Sequence, residues 1–178
     1  MSFERIDTET VWEGQIATVH VDRIRYDDGD EADRERVSHP GAVAVVAHDG
    51  ERVFLVRQPR EAVDEQSLLE LPAGKLDADG EGPLETAKRE LAEEIGKQAA
   101  HWESLGTFLT SPGFTNERVH LFLATGISDV EVRPEVHEDE RIDVEIRPLS
   151  DLEALIESCE DSKTIIALAR LRARLAAR

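Results

Sequence analysis

Three glutamates near the middle of the chain have the residue type and the spacing for chemistry. They lie in GKLDADGEGPLETAKRELAEEIGK, residues 74–97. On a helix, Glu90, Glu93 and Glu94 occupy positions i, i+3 and i+4 and share one side. Carboxylates this close repel each other by a few tenths of a kcal/mol per pair, even at an exposed surface. Mg²⁺ or Mn²⁺ would relieve the repulsion, because hard cations prefer clustered oxygen ligands and bridge to substrate phosphates.

The alternative is a solvated helix face on which Arg89 pairs with Glu93 at i, i+4. Two neighbouring features favour a binding site instead. The turn LPAG, residues 71–74, places a glycine where the backbone can come close to whatever the glutamates hold. Glu81, at the end of the following loop, adds a fourth carboxylate.

The elements around these residues can be predicted from periodicity and from turn residues. Pro83 suits a first helical position, and Gly96 can adopt the left-handed conformation that ends a helix. Between them runs an apolar stripe of Leu84, Ala87, Leu91 and Ile95. The helix therefore buries this side and presents its glutamates on an adjoining side.

Strand patterns surround the helix. Residues 11–26 alternate as strands do, and DDGDEAD at 27–33 is typical of a turn. Two β-rich runs at 41–58 meet at Asp49-Gly50, which predicts a two-residue hairpin turn with positive φ at both positions.

Further strands are predicted after the helix, at 104–109, 118–125 and 143–149, and two helices follow, one starting near Ser150 and one at Lys163. Strands interrupted by one helix and closed by others predict an α+β domain with a mixed sheet.

The charge of the chain limits its partners. Its 178 residues suit one domain with a small appendage, and 39 acidic against 21 basic residues give a net charge of −18. Such a charge disfavours attraction to nucleic acid or to an anionic membrane, so neither is an expected partner. A phosphate-bearing ligand would need local cations, either a metal or arginine.

Composition also predicts the environment. One cysteine excludes an intramolecular disulfide, and the charged N-terminus MSFERIDTET lacks an apolar signal core, so a cytoplasmic protein is expected. Only four of the basic residues are lysines. An acidic, lysine-poor surface suits a salt-rich cytoplasm, because molar salt screens its self-repulsion. A halophilic protein is one hypothesis, and an ordinary acidic protein is the alternative.

The stretch 74–97 resembles the Nudix box, G-x5-E-x7-R-E-U-x-E-E-x-G-U with U apolar. The matching positions are Glu81, Arg89, Glu90, Leu91, Glu93, Glu94 and Gly96. There are two departures. Six residues rather than five separate Gly74 from Glu81, and Lys97 stands where an apolar residue is usual.

The resemblance extends to the ADP-ribose pyrophosphatase branch of the Nudix hydrolases. It is carried by RERVSHPGAVAVV (34–46), VRQPR (56–60), LLELPAGKLD (68–77), SPGFTNERVHLFLA (111–124), HEDERIDVEIRPL (137–149) and SKTIIALARL (162–171). It implies a Nudix-type α/β/α sandwich over residues 39–178. It also implies that residues 1–38 form a small N-terminal antiparallel β-sheet, which is exchanged across a homodimer and helps to build the nucleotide pocket.

The resemblance implies roles for individual residues. The metal ligands would be Glu90, Glu93, Glu94 and the main-chain carbonyl of Ala73, with Mg²⁺ or Mn²⁺ as the cofactor. The catalytic residues would be Glu93, Arg89, which orients the glutamates, and a loop glutamate acting as base, Glu138 first and Glu140 next. The substrate contacts would be Arg34, Arg60, Glu70, Phe114 and Glu117.

The function implied is metal-dependent hydrolysis of ADP-ribose, or of a related ADP-sugar, to AMP and ribose 5-phosphate or the sugar phosphate. One alternative is another nucleoside diphosphate substrate, such as GDP-mannose, NADH or a dinucleoside polyphosphate. An alternative of another class is a non-catalytic nucleotide-binding module, which would be expected to have lost box glutamates, whereas this chain keeps them. A purely structural acidic protein would leave the order of the motifs unexplained.

Overall fold

The structure, a computed structural model, describes residues 2–78, 80–134 and 141–177. These residues form ten strands and three α-helices, joined by turns and short 3₁₀ segments. Within the described part of the chain, the helices are too short or too polar to cross a membrane.

The chain divides into two compact units. One contains Met1–Gly41 and Phe108–Arg118, and the other contains Ala42–Thr107 and Val119–Arg178. The segment SPGFTNE thus belongs to the same compact unit as the N-terminal strands. A functional boundary between residues 38 and 39 remains a prediction.

The strands of the first unit are β1 (Phe3–Glu13), β2 (Thr18–Tyr26) and β3 (Glu31–Ser38). They form a three-stranded antiparallel sheet in the order β1-β2-β3. This is the small N-terminal sheet that the resemblance implied, and it begins ahead of the run 11–26 that alternation indicated.

The turn between β2 and β3 is shorter than predicted. β3 begins at Glu31, so the turn assignment was wrong for residues 31–33. Glu31 lies opposite Arg25 and forms a salt bridge of 2.8 Å with it. Asp33 lies opposite Arg23 and forms one of 3.0 Å. Opposite charges across antiparallel strands stabilise the pairing, which explains why so polar a segment extends the sheet.

The second sheet consists of β4 (Ala42–His48), β5 (Arg52–Arg60), β6 (Glu65–Glu70), β7 (Ala73–Lys75), β8 (Lys97–Leu109), β9 (Arg118–Asp129) and β10 (Asp143–Pro148). Its order is β10-β5-β4-β9-β8, with β6 paired to β5 and β7 paired to β4. β4 runs parallel to β9 and antiparallel to β5, so the sheet is mixed, as predicted.

The hairpin between β4 and β5 turns at Asp49 and Gly50, but the turn is not the predicted one. Residues 49–51 separate the strands, and of the predicted pair only Gly50 has a positive φ, 101°. The side chain of Asp49 accepts hydrogen bonds from the N–H groups of Glu51 and Arg52, at 3.0 and 2.8 Å. An aspartate that bonds the backbone ahead of it stabilises this longer turn.

The helices are α1 (Pro83–Ile95), α2 (Leu152–Ser158) and α3 (Ser162–Ala176), of which α1 and α3 both contact β4. The apolar stripe of α1 shares one buried cluster with alternate residues of β4: Ala87, Leu91, Ile95, Val43, Val45 and Ala47. Ala44 and Val46 point to the opposite face of β4 and are also fully buried. β4 is therefore covered on both faces, and the fold is the predicted α+β sandwich with a mixed sheet.

Candidate active site

Arg89 holds three of the four predicted carboxylates together. Its Nη1 lies 2.8 Å from Oε1 of Glu90 and 2.8 Å from Oε2 of Glu93. Its Nε donates to both carboxylate oxygens of Glu81, at 3.1 and 3.2 Å. Burial would lower the pKa of Arg89, but the charge of Glu90 and the hydrogen bonds to Glu81 and Glu93 raise it well above its usual value. The i, i+4 pair of a solvated helix face is thus present, but it is one part of a cluster built around a permanently charged guanidinium.

Two glutamates of the cluster are almost inaccessible to solvent. Glu94 is 2% exposed and Glu90 is 7% exposed. Glutamates are almost never buried in this way unless they are paired. Glu90 contacts Arg89, and Oε2 of Glu94 accepts a hydrogen bond of 3.0 Å from the N–H of Ala73. α1 is therefore joined at its glutamates to the turn that precedes the loop.

Gly74 brings the backbone of that turn against Glu90. β7 pairs with β4 here, with Gly74 opposite Val43. A Cβ at Gly74 would lie 1.9 Å from Oε1 of Glu90 and 2.5 Å from its Cγ. Any larger residue would displace the glutamate, so the close approach that LPAG predicted is present, with the carboxylate itself as the neighbour. The extra residue of the loop falls after Gly74 and does not remove this contact.

Lys97, the second departure from the box, takes the place of an apolar residue by covering a ring. Its Nζ lies 5.5 Å from the centroid of the Phe54 ring and pairs with Asp129. A cation over the face of an aromatic ring is attracted by the ring's quadrupole, so this lysine makes a favourable contact with an apolar neighbour.

The donor set at this site fits a hard divalent cation by its chemistry. Glu90, Glu93 and Glu94 supply carboxylates, and Ala73 supplies a carbonyl from the adjoining turn. Among the residues that the structure describes, no three Asp, Glu, His or Cys side chains are arranged as a metal site. Nη1 of Arg89 lies 2.8 Å from one oxygen of Glu90 and 2.8 Å from one oxygen of Glu93.

Arg60 and Glu70, both predicted substrate residues, form an ion pair between β5 and β6. Glu70 is fully buried and accepts hydrogen bonds from Nε and Nη2 of Arg60, at 2.5 and 2.7 Å. The Arg60 side chain is 40% exposed. The hydrogen bond to Glu70 raises the pKa of Arg60, and the charges of Asp161 and Glu94 add to the effect. Of the glutamates on α1, Glu94 is the one whose charge contributes to this increase in the pKa of Arg60.

Lys163 is a second cationic partner of Glu70, and it was not among the predicted site residues. Its Nζ lies 2.5 Å from Oε2 of Glu70 and 2.8 Å from Oδ1 of Asp161. Asp161 caps α3 by accepting the N–H of Thr164 at 2.9 Å. The preference of aspartate for helix starts could have identified this cap. The contact with Glu70 spans 93 residues and has no local sequence pattern.

The remaining predicted substrate residues lie in the first compact unit. Arg34 and Phe114 line a cavity of about 330 Å³ together with Tyr26. Nη2 of Arg34 donates to the Tyr26 hydroxyl at 3.0 Å, and Phe114 is 55% exposed. Glu117 is outside the lining of this cavity, and its carboxylate accepts a hydrogen bond of 2.7 Å from Thr110. Arg34 and Phe114 thus line the same cavity, and Glu117 directly follows Asn116, another residue of its lining.

The predicted base Glu138 and its alternative Glu140 lie outside the described residues. Arg133, which comes shortly before them in the chain, is described. Its Nε and Nη2 donate to the carbonyls of Glu93 and Glu94, at 2.9 and 2.5 Å. Arg133 therefore joins the segment after β9 to the end of α1.

Comparison with known proteins decides the family. A family model described as NUDIX domain matches residues 37–169. The chain belongs to the Nudix family. The box inferred from residues 74–97 lies within the matched region, so the resemblance seen in the sequence is confirmed.

Individual Nudix relatives are similar over most of the chain. The ADP-ribose pyrophosphatase of Bacillus subtilis (strain 168) is 41% identical over 170 residues, 94% of this chain and 91% of the relative. The methanol dehydrogenase activator of Bacillus methanolicus is equally similar over the same shares. The ADP-ribose pyrophosphatase of Mycobacterium tuberculosis is 45% identical over 139 residues, 78% of this chain and 66% of the relative. A solved structure of an ADP compounds hydrolase shares the fold, with a TM-score of 0.86 at 23% identity over 99% of this chain and 96% of the other.

Proposed function

We propose that this Nudix protein hydrolyses the diphosphate of ADP-ribose to AMP and ribose 5-phosphate. The observation that carries the proposal is the carboxylate cluster, in which Arg89 holds Glu90 and Glu93 while Glu94 is bonded to Ala73. Two relatives named ADP-ribose pyrophosphatase, 41% and 45% identical, support ADP-ribose, or a closely related ADP-sugar, as the substrate.

The reaction is a displacement at phosphorus. A water oxygen forms a bond to one phosphorus, the bond from that phosphorus to the bridging oxygen breaks, and the bridging oxygen leaves with the other phosphate. The proton released from water passes to a base. A divalent cation, Mg²⁺ or Mn²⁺, would neutralise the diphosphate and make the attacking water more acidic. Glu90, Glu93, Glu94 and the carbonyl of Ala73 are the residues that would hold it.

The protein's own part is to orient these groups. Arg89 keeps Glu90 and Glu93 at a set separation through charge-assisted hydrogen bonds, and the bond to Ala73 does the same for Glu94. We assign the base to Glu138, with Glu140 as the alternative, on the resemblance alone. If Glu138→Gln keeps most of the wild-type kcat at saturating metal, this assignment fails.

Substrate binding is assigned to Arg60, Arg34, Phe114 and Glu117. Glu70, which is fully buried, would contribute by holding the guanidinium of Arg60. Arg60 supports the assignment best, because its partly exposed guanidinium offers planar donors to phosphate oxygens. Phe114 presents an exposed ring and Arg34 a cation at one cavity, which suits a flat or anionic part of a ligand.

We infer that the protein forms a homodimer in the cytoplasm. We also infer that this cytoplasm is rich in salt. Phe3, Val11 and Trp12 on β1 are more than half exposed, and β1 is the edge of its sheet. A long edge strand with exposed apolar side chains suits pairing with a second copy. The charge of −18 and the scarcity of lysine support the salt-rich environment.

The proposal is tested with a substrate panel of ADP-ribose, ADP-glucose, GDP-mannose, NADH and diadenosine polyphosphates, at high KCl with Mg²⁺. The expected result is the highest kcat/KM for ADP-ribose, with AMP and ribose 5-phosphate resolved by chromatography. A higher kcat/KM for a non-ADP substrate would show that the protein is a Nudix hydrolase with a different substrate. Cleavage of none of them, together with retained binding, would favour a non-catalytic module.

A further inference from the structure

A row of alternating charges runs from the partly exposed Arg60 at the end of β5 to the start of α3. Glu70 lies between two cations: Arg60 donates to both of its oxygens, and Nζ of Lys163 lies 2.5 Å from Oε2. Lys163 in turn contacts Asp161 at 2.8 Å. The side chain of Arg60 is 40% exposed, whereas Glu70 is fully buried and Lys163 and Asp161 are 16% and 12% exposed. Arg60 is therefore the member of the row that is most accessible to a ligand.

The same helix start also holds the backbone next to Glu70. Oγ1 of Thr164 accepts the N–H of Leu71 at 2.9 Å and donates to Asp161 at 2.6 Å. The chain then reaches Ala73, whose N–H is bonded to Glu94 on α1. The first turn of α3 is therefore tied to the segment from Glu70 to Ala73 at both a side chain and a backbone amide.

Two cations on one buried carboxylate do more than neutralise it. Burial would raise the pKa of Glu70, yet the hydrogen bonds and charges of Arg60 and Lys163 hold it below its usual value, so the carboxylate stays ionised. Arg60 alone would balance the charge. Lys163 adds a fixed contact from the opposite element, which limits rotation of the carboxylate and hence of the guanidinium fork that it holds. The fork uses Nε and Nη2, and within the described residues Nη1 of Arg60 donates to no partner.

We propose that Lys163 is a positioning residue for diphosphate binding, acting through Glu70 on the guanidinium of Arg60. The inference rests on the proposed function in so far as Arg60 contacts the diphosphate. Glu70 and Asp161 engage the ammonium group of Lys163, so we place its effect on the substrate through Glu70. Lys163 should therefore affect the affinity for the diphosphate and not the rate of the chemical step.

The test is a double-mutant cycle on Lys163→Met and Glu70→Gln, read as KM and kcat for ADP-ribose and as Kd for ADP in the presence of Mg²⁺. Lys163→Met should raise KM and Kd about tenfold and change kcat less than about threefold. Lys163→Arg, which keeps the charge, should restore KM to within about threefold of wild type. The double variant should have a KM no more than about twofold above that of Glu70→Gln, because Lys163 acts only through Glu70.

The matched control is Arg172→Met, on the same helix, whose pair with Glu153 is exposed. It should leave KM and kcat at wild-type values. A structural role of Lys163 alone would lower the folded fraction, so kcat would fall with KM unchanged. That result, or effects of Lys163→Met and Glu70→Gln on KM that multiply in the double variant, would overturn the proposal.

The two proposals can fail separately. If the wild type binds ADP but does not cleave ADP-ribose, the proposed function fails, and the Kd cycle still decides the role of Lys163. If the wild type neither binds ADP nor cleaves ADP-ribose, both proposals are overturned.

Discussion

At the scale of single residues, the site depends on one absent side chain. Gly74 has no Cβ, and the carboxylate of Glu90 fills that space, with Oε1 1.9 Å from where a Cβ would lie. The neighbour is a side chain rather than backbone, so a larger residue at 74 could be accommodated by moving Glu90. Glycine is therefore needed here for the placement of a carboxylate rather than for folding.

Gly74→Ala should lower kcat/KM for ADP-ribose about 100-fold, because a displacement of roughly 1 Å at a catalytic group costs that much. The Tm should change little, since the displaced glutamate moves without opening the core. Steady-state kinetics and thermal unfolding check the two parts.

Gly82→Ala is the control for this prediction, because among the described residues a Cβ at Gly82 meets only Oε2 of Glu85, at 3.0 Å. It should keep wild-type kinetics. A large loss of Tm in Gly74→Ala, parallel to the loss of activity, would show that the glycine serves folding instead.

At the scale of elements, the end of α1 is held by a residue from outside the helix. Arg133 donates to the carbonyls of Glu93 and Glu94, where the helix dipole favours a cation. Arg133→Met should lower the free energy of unfolding by about 1 kcal/mol in urea denaturation. Lys88→Met, at an exposed position of the same helix, is the control and should change it far less. Equal effects of the two variants would contradict this role of Arg133.

The N-terminal sheet contains a pH-sensitive contact. A hydrogen bond from Arg36 lowers the pKa of Asp22 to about 2 despite its burial, and Thr8 contributes a further hydrogen bond. The unfolded chain has an Asp pKa of about 3.9. Because the folded chain binds this proton more weakly, the contact stabilises the fold above pH about 4 and is lost as the pH falls toward about 2.

Asp22→Asn should therefore have a lower Tm than wild type at pH 6, and the difference should narrow as the pH falls below about 4. Thermal unfolding of both proteins from pH 6 to pH 3 measures it. Asp33→Asn, which removes an exposed pair, should have a smaller effect at pH 6. A Tm difference that is constant with pH would show that the ionisation of Asp22 contributes nothing.

The elements differ in how far the sequence could predict them. α1 was predicted from Pro83 to its cap at Gly96, because a 3.6-residue apolar period, an N-terminal proline and a left-handed glycine all lie within one segment. The position of the hairpin at Asp49 was predicted correctly, but the type of turn was not. The turn is set by the side chain of Asp49, which bonds the backbone ahead of it. Lys163 was missed because its partner is distant in the sequence.

At the scale of the whole molecule, the carboxylate cluster and the proposed substrate residues differ in how far the sequence itself could predict them. Glu81, Arg89, Glu90, Glu93 and Glu94 were predictable as a set, since one loop and one helix carry them all. Arg60 and Glu70 were proposed as substrate residues on the resemblance alone, and their ion pair across β5 and β6 was not predicted.

The net charge of −18 predicts a stability that depends on salt. Raising KCl shortens the Debye length from about 10 Å at 0.1 M to about 3 Å at 1 M, which weakens repulsion across the surface. The Tm should therefore rise by several degrees between 0.1 M and 2 M KCl. A Tm that is insensitive to KCl would contradict the salt-rich environment without affecting the proposed activity.

The most direct test of the central claim is the hydrolysis of ADP-ribose by the wild type and by Glu94→Gln, with Mg²⁺ titrated and products resolved by chromatography. Glu94→Gln keeps the size of the side chain and an oxygen that can accept the N–H of Ala73, but removes the charge. We expect AMP and ribose 5-phosphate from the wild type, with kcat/KM at least about 100-fold lower in the variant at saturating Mg²⁺. Wild-type rates and an unchanged Mg²⁺ dependence in Glu94→Gln would contradict a metal-holding role of Glu94.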